Sequence, residues 1–569
     1  MARGPGLNHS PQVGQACVGL VRALRAEVGR RHVITHPDAA RAYTTGYRIG
    51  SGAVLAVVRP ATLVELWRAA QLCIAADTAL IIQAANTGLT GGSTPCGDYD
   101  RPVVLISTLR IAAVIPIADG TEALCLAGAT LTGLEEALLP HGRVPHSVIG
   151  SSCLGASVVG GICNNSGGAL VSRGPAFTRH ALFARVDENG RLVLINNLGL
   201  ALGDDPEAVL ATLDGGKIAL QSIEPCNRVP CQPSYENHIR DLTAKTPARH
   251  NADSRCHFEA SGSAGKVIVF AVRVKSYVAP KHTAIFLLAS DDPRDLADFR
   301  VATLSTFHHL PVSAEYLHRD AATLAASHGN DVCLAVRYLG ARRMPALFAV
   351  KRRIDRLLHR FGHAASERLL QVVGQIAPHP LPDSLRARTR HKHMLIVTMA
   401  DDGVAEMRDH LASNPRASLA AYECTTAEGA ALQRLRFATA GALVRLAAIT
   451  KGAGPLVAID CALPRNRTDW PIVLPPDLAE QVMLRADYGH FLCNVFHLDF
   501  ILKPGSDAQA FETSLIRRLH DEGVMCPAEH NFGHHYSAPD NVVAFYRSLD
   551  PTNALNPGVG QTSRARNWV

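Results

Sequence analysis

Among its 14 cysteines the 569-residue chain has no Cys-x-x-Cys pair and no zinc-finger spacing. The closest two, Cys226 and Cys231, sit in a proline-rich loop, so cysteine usage reads as reduced and cytosolic. No uninterrupted apolar stretch is long enough to span a bilayer: the nearest, Ala438 to Ile449, is short and broken by Arg445. The opening MARGPGLNHSPQVGQ lacks the apolar segment of a secretory signal, so any membrane attachment is expected to be peripheral. The fingerprint GxGxxG and the phosphate loop GxxxxGK[ST] are missing too, which disfavours a Rossmann NAD enzyme or an NTPase. There are no internal repeats.

What is present is apolar and long. At 47% hydrophobic residues the chain can bury several cores, and two or three domains are expected. Val54 to Val58 is a short β-branched run, and Pro60 to Leu66 opens an amphipathic helix with proline near its first turn. Ala79 to Ile82 and Val103 to Ser107 read as strands, Leu131 to Leu139 as a helix and Lys266 to Val274 as another strand. Strands and helices alternate, which predicts an α/β unit.

Two loops stand out. Ala84-Ala85-Asn86-Thr87-Gly88-Leu89-Thr90-Gly91-Gly92-Ser93 consists almost entirely of small residues. These let the backbone approach a ligand, consecutive N–H groups can form an anion-binding nest, and Thr87 and Ser93 add hydroxyls. Gly150 to Gly168 repeats the pattern, pairing glycines with serines and the amides of Asn164 and Asn165. One such loop reads as a surface connection; two in one α/β unit suggest a long ligand containing a diphosphate.

The order of these features, closed by Gly265 to Phe270, resembles the FAD domain of the vanillyl-alcohol-oxidase (PCMH) type. Within that superfamily the strings QAANTGLT (83–90), PHSVIGSSC (145–153), GGICNNSGG (160–168), TPARHNAD (246–253) and DPTN (550–553) resemble the quinone-dependent D-lactate dehydrogenases of enteric bacteria, from about Thr35 to Trp568. The resemblance implies an α+β fold with a PCMH-type FAD domain, an α/β cap and a basic membrane-binding insertion. It places the FAD diphosphate on Ala84, Ala85, Asn86, Thr87, Gly88, Gly92 and Ser93, and the rest of the cofactor along Gly150, Ser157, Gly167 and Val269. Some relatives attach the flavin through His or Cys; the first loop holds neither, so the FAD is expected to be non-covalent.

Oxidising a 2-hydroxy acid requires a flavin to take hydride, a base for the hydroxyl proton and a cation or metal for the carboxylate. Glu529-His530-Asn531-Phe532-Gly533 resembles the Glu-His-Gly-Ile-Gly motif of related 2-hydroxy-acid dehydrogenases, which implies His530 as base. Their Gly-His-x-Gly-Asp-Gly-Asn-x-His motif supplies two metal-ligating histidines that join the glutamate. Here Gly489-His490 and His497 keep the ligand types and spacing with Glu529, but Phe491 to Phe496 between them does not match. No metal is therefore assigned: His490, His497 and Glu529 either ligate one or orient the substrate by direct hydrogen bonds. His534 and His535 are lesser alternatives to His530, and Arg48 and Arg319 are candidates for the carboxylate or for ordinary salt bridges.

From Arg337 to Lys392 there are thirteen Lys and Arg against three Asp and Glu, so the basic excess of the chain, +7 in all, is local. Lys351 to Arg360 at helical spacing suits adsorption to anionic phospholipid, with Leu347, Phe348, Ile354, Leu357 and Leu358 dipping into the interface. The resemblance points the same way. A second segment, Leu432 to Lys451, interleaves Arg434, Arg436, Arg445 and Lys451 with apolar residues. No aromatic stacking platform accompanies the charge, so nucleic acid is not an expected partner.

The expected division is an FAD domain over 1–276 with a C-terminal return over 521–569, a cap over 277–318, 391–426 and 452–520, and a membrane insertion over 319–390 and 427–451. The expected partners are D-lactate, a membrane quinone and an anionic phospholipid surface on the cytoplasmic side of the bacterial inner membrane; the oligomeric state is left open. The alternative is a soluble FAD enzyme for another D-2-hydroxy acid with a different acceptor.

Overall fold

The computed structural model describes residues 11–147, 155–216, 234–340 and 364–569, together with positions 343, 344, 346, 347, 350, 351 and 354. Gly150, Phe348, Leu357, Leu358, Cys226 and Cys231 lie outside the described residues.

The first sheet holds β1 (Val33–Ile34), β2 (Ala56–Val58), β3 (Ala79–Gln83) and β4 (Val103–Ser107) in the order β1-β2-β4-β3, with β2, β4 and β3 parallel. Parallel strands are buried on both faces and need apolar runs; β2 and β4 are buried at every position. The helix Leu63–Ala75 supplies the crossover. Its N-terminus is fixed by the Thr62 side chain, which accepts the Glu65 N–H at 3.1 Å, and it buries Leu63, Leu66, Trp67, Ala70 and Cys73 against this sheet's core.

Next come β5 (Val114–Ile117), β6 (Glu122–Leu126), β7 (Arg143–Val144), β8 (Ala181–Val186), β9 (Leu192–Asn196), β10 (Ile268–Lys275) and β11 (Tyr277–Val278). They form an antiparallel sheet β5-β6-β10-β8-β9 and the small pair β11-β7. The helix Val158–Cys163 interrupts the stretch Gly150 to Gly168, expected to be a single loop, because Val158, Val159 and Ile162 bury themselves on this sheet.

The remaining strands are β12 (Thr283–Ser290), β13 (Ser313–His318), β14 (His393–Ala400), β15 (Ala420–Cys424), β16 (Leu456–Ala462), β17 (Val482–His490) and β18 (Val495–Leu502). They build one seven-stranded sheet, β15-β12-β14-β13-β17-β18-β16, antiparallel throughout. Side chains alternate between its faces. Tyr316, Ile459, Phe496 and Phe500 join one core with the helices Pro293–Thr306 and Ala508–Asp521; Leu317, Ala486, Tyr488 and Ile501 join another with the helices Arg319–His328 and Thr426–Ile449.

The end of the chain returns to the first sheet: the Leu80 N–H donates to the Ala554 carbonyl at 2.9 Å and the Asn556 N–H to the Leu80 carbonyl at 2.8 Å. No helix among the described residues is long and apolar enough to cross a membrane.

Candidate active site

Cross-strand partners in an antiparallel sheet share a face. Glu315 on β13 faces His490 on β17, Tyr488 faces His497 on β18, and Asp460 on β16 faces His497. With Asp499 two residues beyond His497, these put six polar side chains on one face of the sheet, the one that elsewhere packs Leu317, Ala486 and Ile501. Polar groups at such core positions must find partners, and they find them in one another and in the segment 526–533.

Asp460 is the anchor. One of its carboxylate oxygens accepts the backbone N–H groups of Glu529 at 2.6 Å and His530 at 2.8 Å, which fixes the Glu-His turn against the sheet. The His497 and His530 rings stack with centroids 5.3 Å apart, each with Nδ1 near the Asp460 carboxylate, at 3.5 and 3.6 Å. Glu529 is buried, ion-paired with Arg249 and 3.3 Å from His490 Nε2. Arg249 in turn donates to the Gly168 carbonyl at 2.6 Å, tying the acidic centre to the second glycine-rich loop.

Charge follows from this wiring. Burial opposes ionisation of His490, but the Glu315 and Glu529 carboxylates outweigh it and raise the ring to about 9; it donates from both nitrogens, to Glu315 at 2.6 Å and toward Glu529. Burial likewise opposes the Glu529 carboxylate, and Arg249 with His490 holds it well below its ordinary range. His497 is driven the other way: burial, then the neighbouring rings of His530 and His490, push it well below its ordinary value, so it is neutral.

The sequence candidates His490, His497, Glu529 and His530 thus come together. Their nitrogen and oxygen atoms form two ligand-type groups, His490/His497/Glu529 and Asp460/His497/His530, each within 4.8 Å. In the first, His490 is engaged on both nitrogens, so a cation would have to replace the Nε2 contact with Glu529.

The lesser candidates fall away. His534 has both ring nitrogens on backbone carbonyls, Thr94 at 2.9 Å and Gly558 at 3.1 Å, and clamps the first loop to the C-terminal segment. His535 pairs with Glu512 at 2.6 Å. Arg319 is half-exposed and donates to the Arg390 carbonyl at 3.2 Å. Arg48, by contrast, lies where its charge acts on both Asp499 and Tyr488, and its buried Nε has no hydrogen-bond partner among the described residues.

The first loop is braced from below. Gln83 donates to the carbonyls of Tyr43 and Ser93 at 2.8 and 2.7 Å, and Asn86, in left-handed backbone at φ 53°, donates to Thr45 at 2.9 Å and accepts from the Ser93 hydroxyl at 3.2 Å. A side chain at Gly92 would press on the Gly533 backbone, 3.2 Å away. Ser157 caps the helix Val158–Cys163, accepting the Gly160 N–H at 3.0 Å. Val269 sits on β10 beside a bulge with its side chain in the apolar core.

These loops fit a dinucleotide. Among the described residues a Cβ at Gly88 or Gly155 would meet nothing within 4 Å, and both nitrogens of buried His146, next to the second loop, have no hydrogen-bond partner there.

Residues 54–195 match the FAD-binding domain family, and residues 285–568 match the family described as D-lactate dehydrogenase, membrane binding. The chain is 44% identical over 558 residues to a quinone-dependent D-lactate dehydrogenase of Haemophilus influenzae, covering 97% of this chain and 99% of that one. It is also 44% identical over 548 residues to the protein so named in Escherichia coli, covering 95% and 96%. The chain belongs to the quinone-dependent D-lactate dehydrogenase family. Its cofactor is FAD.

Solved structures agree on the fold. Alkyldihydroxyacetonephosphate synthase aligns with a TM-score of 0.59 at 12% identity, over 98% of this chain and 86% of that one. p-Cresol methylhydroxylase aligns with a TM-score of 0.57 at 12% identity, over 98% of both.

Sequence reasoning missed Asp460, Glu315 and Arg249 as site residues. Asp460 is the lone acid inside an otherwise apolar strand, a signal of a buried, paired charge; Glu315 lies in a strand that also holds Ser313 and His318 and carries no such signal. Arg249 stood in plain view within TPARHNAD.

Two cations of the second basic segment are corrected. Arg445 is buried and paired with Asp331 and Glu367, and Arg436 with Glu315 at 3.0 Å; both turn inward, because an unpaired buried acid costs more than an exposed cation gains.

Proposed function

We propose that the protein oxidises D-lactate to pyruvate and delivers the electrons to a membrane quinone while bound peripherally at the cytoplasmic face of the inner membrane. The observation that carries this is the cluster of His490, His497 and Glu529 with the part-exposed His530, wired through Arg249 to the carbonyl of a glycine-rich loop.

The cofactor would be held without a covalent bond by Ala84 to Gly88, Gly92 and Ser93 and by Gly150, Ser157, Gly167 and the Val269 backbone. FAD, when bound, supplies the hydride acceptor. His530 is the base for the lactate hydroxyl proton. Asp460 beside its Nδ1 favours the proton there and leaves Nε2 with its lone pair, and a third of the His530 side chain is exposed, so the ring can meet substrate. Arg48, with its unpartnered Nε, holds the carboxylate. His490 and Glu529, locked between Glu315 and Arg249, keep the pocket's charges fixed, which saves reorganisation when charge moves.

Membrane attachment rests on a different surface. On the helix Ala365–Ile376, Leu369, Val372, Val373 and Ile376 are all about half exposed or more, Ile376 at 81%, and Tyr338, Val350 and Ile354 are exposed as well. Apolar side chains at helical spacing beside a basic segment suit insertion into an anionic interface. Positions 319–390 and 427–451 form the insertion in this reading, 277–318, 391–426 and 452–520 the cap, and 1–276 with 521–569 the FAD domain.

Anaerobic addition of D-lactate should bleach the flavin absorbance while L-lactate leaves it unchanged; bleaching by neither, or equally by both, would overturn the assignment.

A further inference from the structure

The helix Thr426–Ile449 lies within the region matched by the membrane-binding family, yet its Arg436 is nearly buried and faces the imidazoles. Its guanidinium pairs with one oxygen of Glu315 at 3.0 Å, and the other oxygen of Glu315 takes His490 Nδ1 at 2.6 Å. The same guanidinium lies 4.6 Å over the Tyr488 ring. That ring sits 5.1 Å from His497, and its hydroxyl donates to Asp499 at 2.8 Å. One cation therefore stands behind both histidines. From it an unbroken chain of contacts runs through Glu315, His490, Glu529 and Arg249 to the Gly168 carbonyl.

We propose that Arg436 is a positioning residue for lactate oxidation, setting the orientation of His490 and His497, and through His490 that of the Glu529 carboxylate, from a helix outside the flavin domain. The inference rests on the reading of this cluster as the substrate site. A carboxylate with one neighbour can rotate about its terminal torsion; with one oxygen held by Arg436, Glu315 has a single way to present the other to His490. Planar, two-sided contact with a carboxylate and an aromatic face is what a guanidinium does and an ammonium does poorly.

The test uses the full-length flavoprotein with Arg436→Gln, Arg436→Lys, Glu315→Gln, His490→Asn and the Arg436→Gln/His490→Asn pair. Arg436→Gln should keep its flavin and lose at least about tenfold in kcat, with KM for D-lactate shifted far less, since a small misplacement near the chemistry is enough for such a loss. Arg436→Lys should recover part of it. Added to His490→Asn, the Arg436 change should cost less than about twofold, because residues acting as a unit are not additive.

An Arg436→Gln enzyme that melts earlier but turns over normally, or losses that simply multiply, would overturn the proposal. If Arg436→Gln fails to fold, Glu315→Gln decides: a folded variant with unchanged kcat refutes it, and a kcat loss abolished in the His490→Asn background supports it. Should His490→Asn and His530→Asn both oxidise D-lactate normally, the site itself is misassigned; should they fail while Arg436→Gln works, only this inference falls.

Discussion

Gly167 and Glu529 are packed so closely that a methyl group on the glycine would collide with the carboxylate of the acid. The second glycine-rich segment and the acidic centre are thus in contact, and the glycine is required by close approach.

Gly167→Ala should accordingly displace Glu529 or the loop. The expected result is a loss of kcat/KM of about a hundredfold, the scale of a 1 Å misplacement, with weakened flavin retention. Steady-state kinetics and the ratio of flavin to protein absorbance after gel filtration measure both.

His530 and His534 should separate cleanly. His530→Asn removes the proposed base and should cut kcat by about 10²- to 10⁴-fold in a protein that stays yellow. His534→Asn loses the clamp between Thr94 and Gly558 and should show its effect in flavin affinity and thermal midpoint instead.

Acid should destabilise the fold just below neutrality. Burial, reinforced by neighbouring arginines at His146 and His238, pushes His146, His238, His250 and His393 down to about 4, against an unfolded value near 6.5. Between those values the unfolded chain binds more protons, so stability falls as the pH drops from about 6.5 toward 4. The thermal midpoint should fall by roughly 5 °C or more between pH 7 and 5, and His393→Asn should flatten that slope.

Arg445→Met should act on stability. It leaves the mostly buried Asp331 without its cation and Glu367 with Lys351 alone, a change expected to cost up to about 3 kcal/mol, below the full penalty of a completely buried pair. Faster amide exchange in the helices Asn330–Leu339 and Ala365–Ile376, with vesicle adsorption impaired only through that loosening, is the expected signature.

Leu369→Ser with Ile376→Asp should weaken adsorption to phosphatidylglycerol vesicles by at least about tenfold, since each inserted aliphatic side chain contributes roughly 1 kcal/mol or more. Turnover with a water-soluble acceptor should stay unchanged. Co-sedimentation that is unaltered would place the insertion elsewhere.

The two runs of small residues were legible in the sequence because backbone approach to a ligand demands small residues in a continuous run, a requirement visible without the fold. The parallel strands of the first sheet were legible for a similar reason, as short apolar runs. The supporting groups were not. Asp460, Glu315 and Arg249 acquire their roles only when strands far apart in sequence come into register, and no local pattern records a cross-strand partner. The second basic segment misled at Arg436 and Arg445 because cations interleaved with apolar residues do not show in sequence which acid each of them faces.

The return of the chain end to the first sheet has a consequence for biosynthesis. Asn556 donates to the Gly92 carbonyl across 464 residues of sequence, and Lys266 reaches Asn553 at 2.7 Å. The region translated first is therefore the last to be finished. The first sheet gains its contacts with Ala554 and Asn556 only once that segment has been synthesised, so removal of residues from Asp550 onward should strip Leu80 of both backbone partners and loosen the loop that carries Gly92.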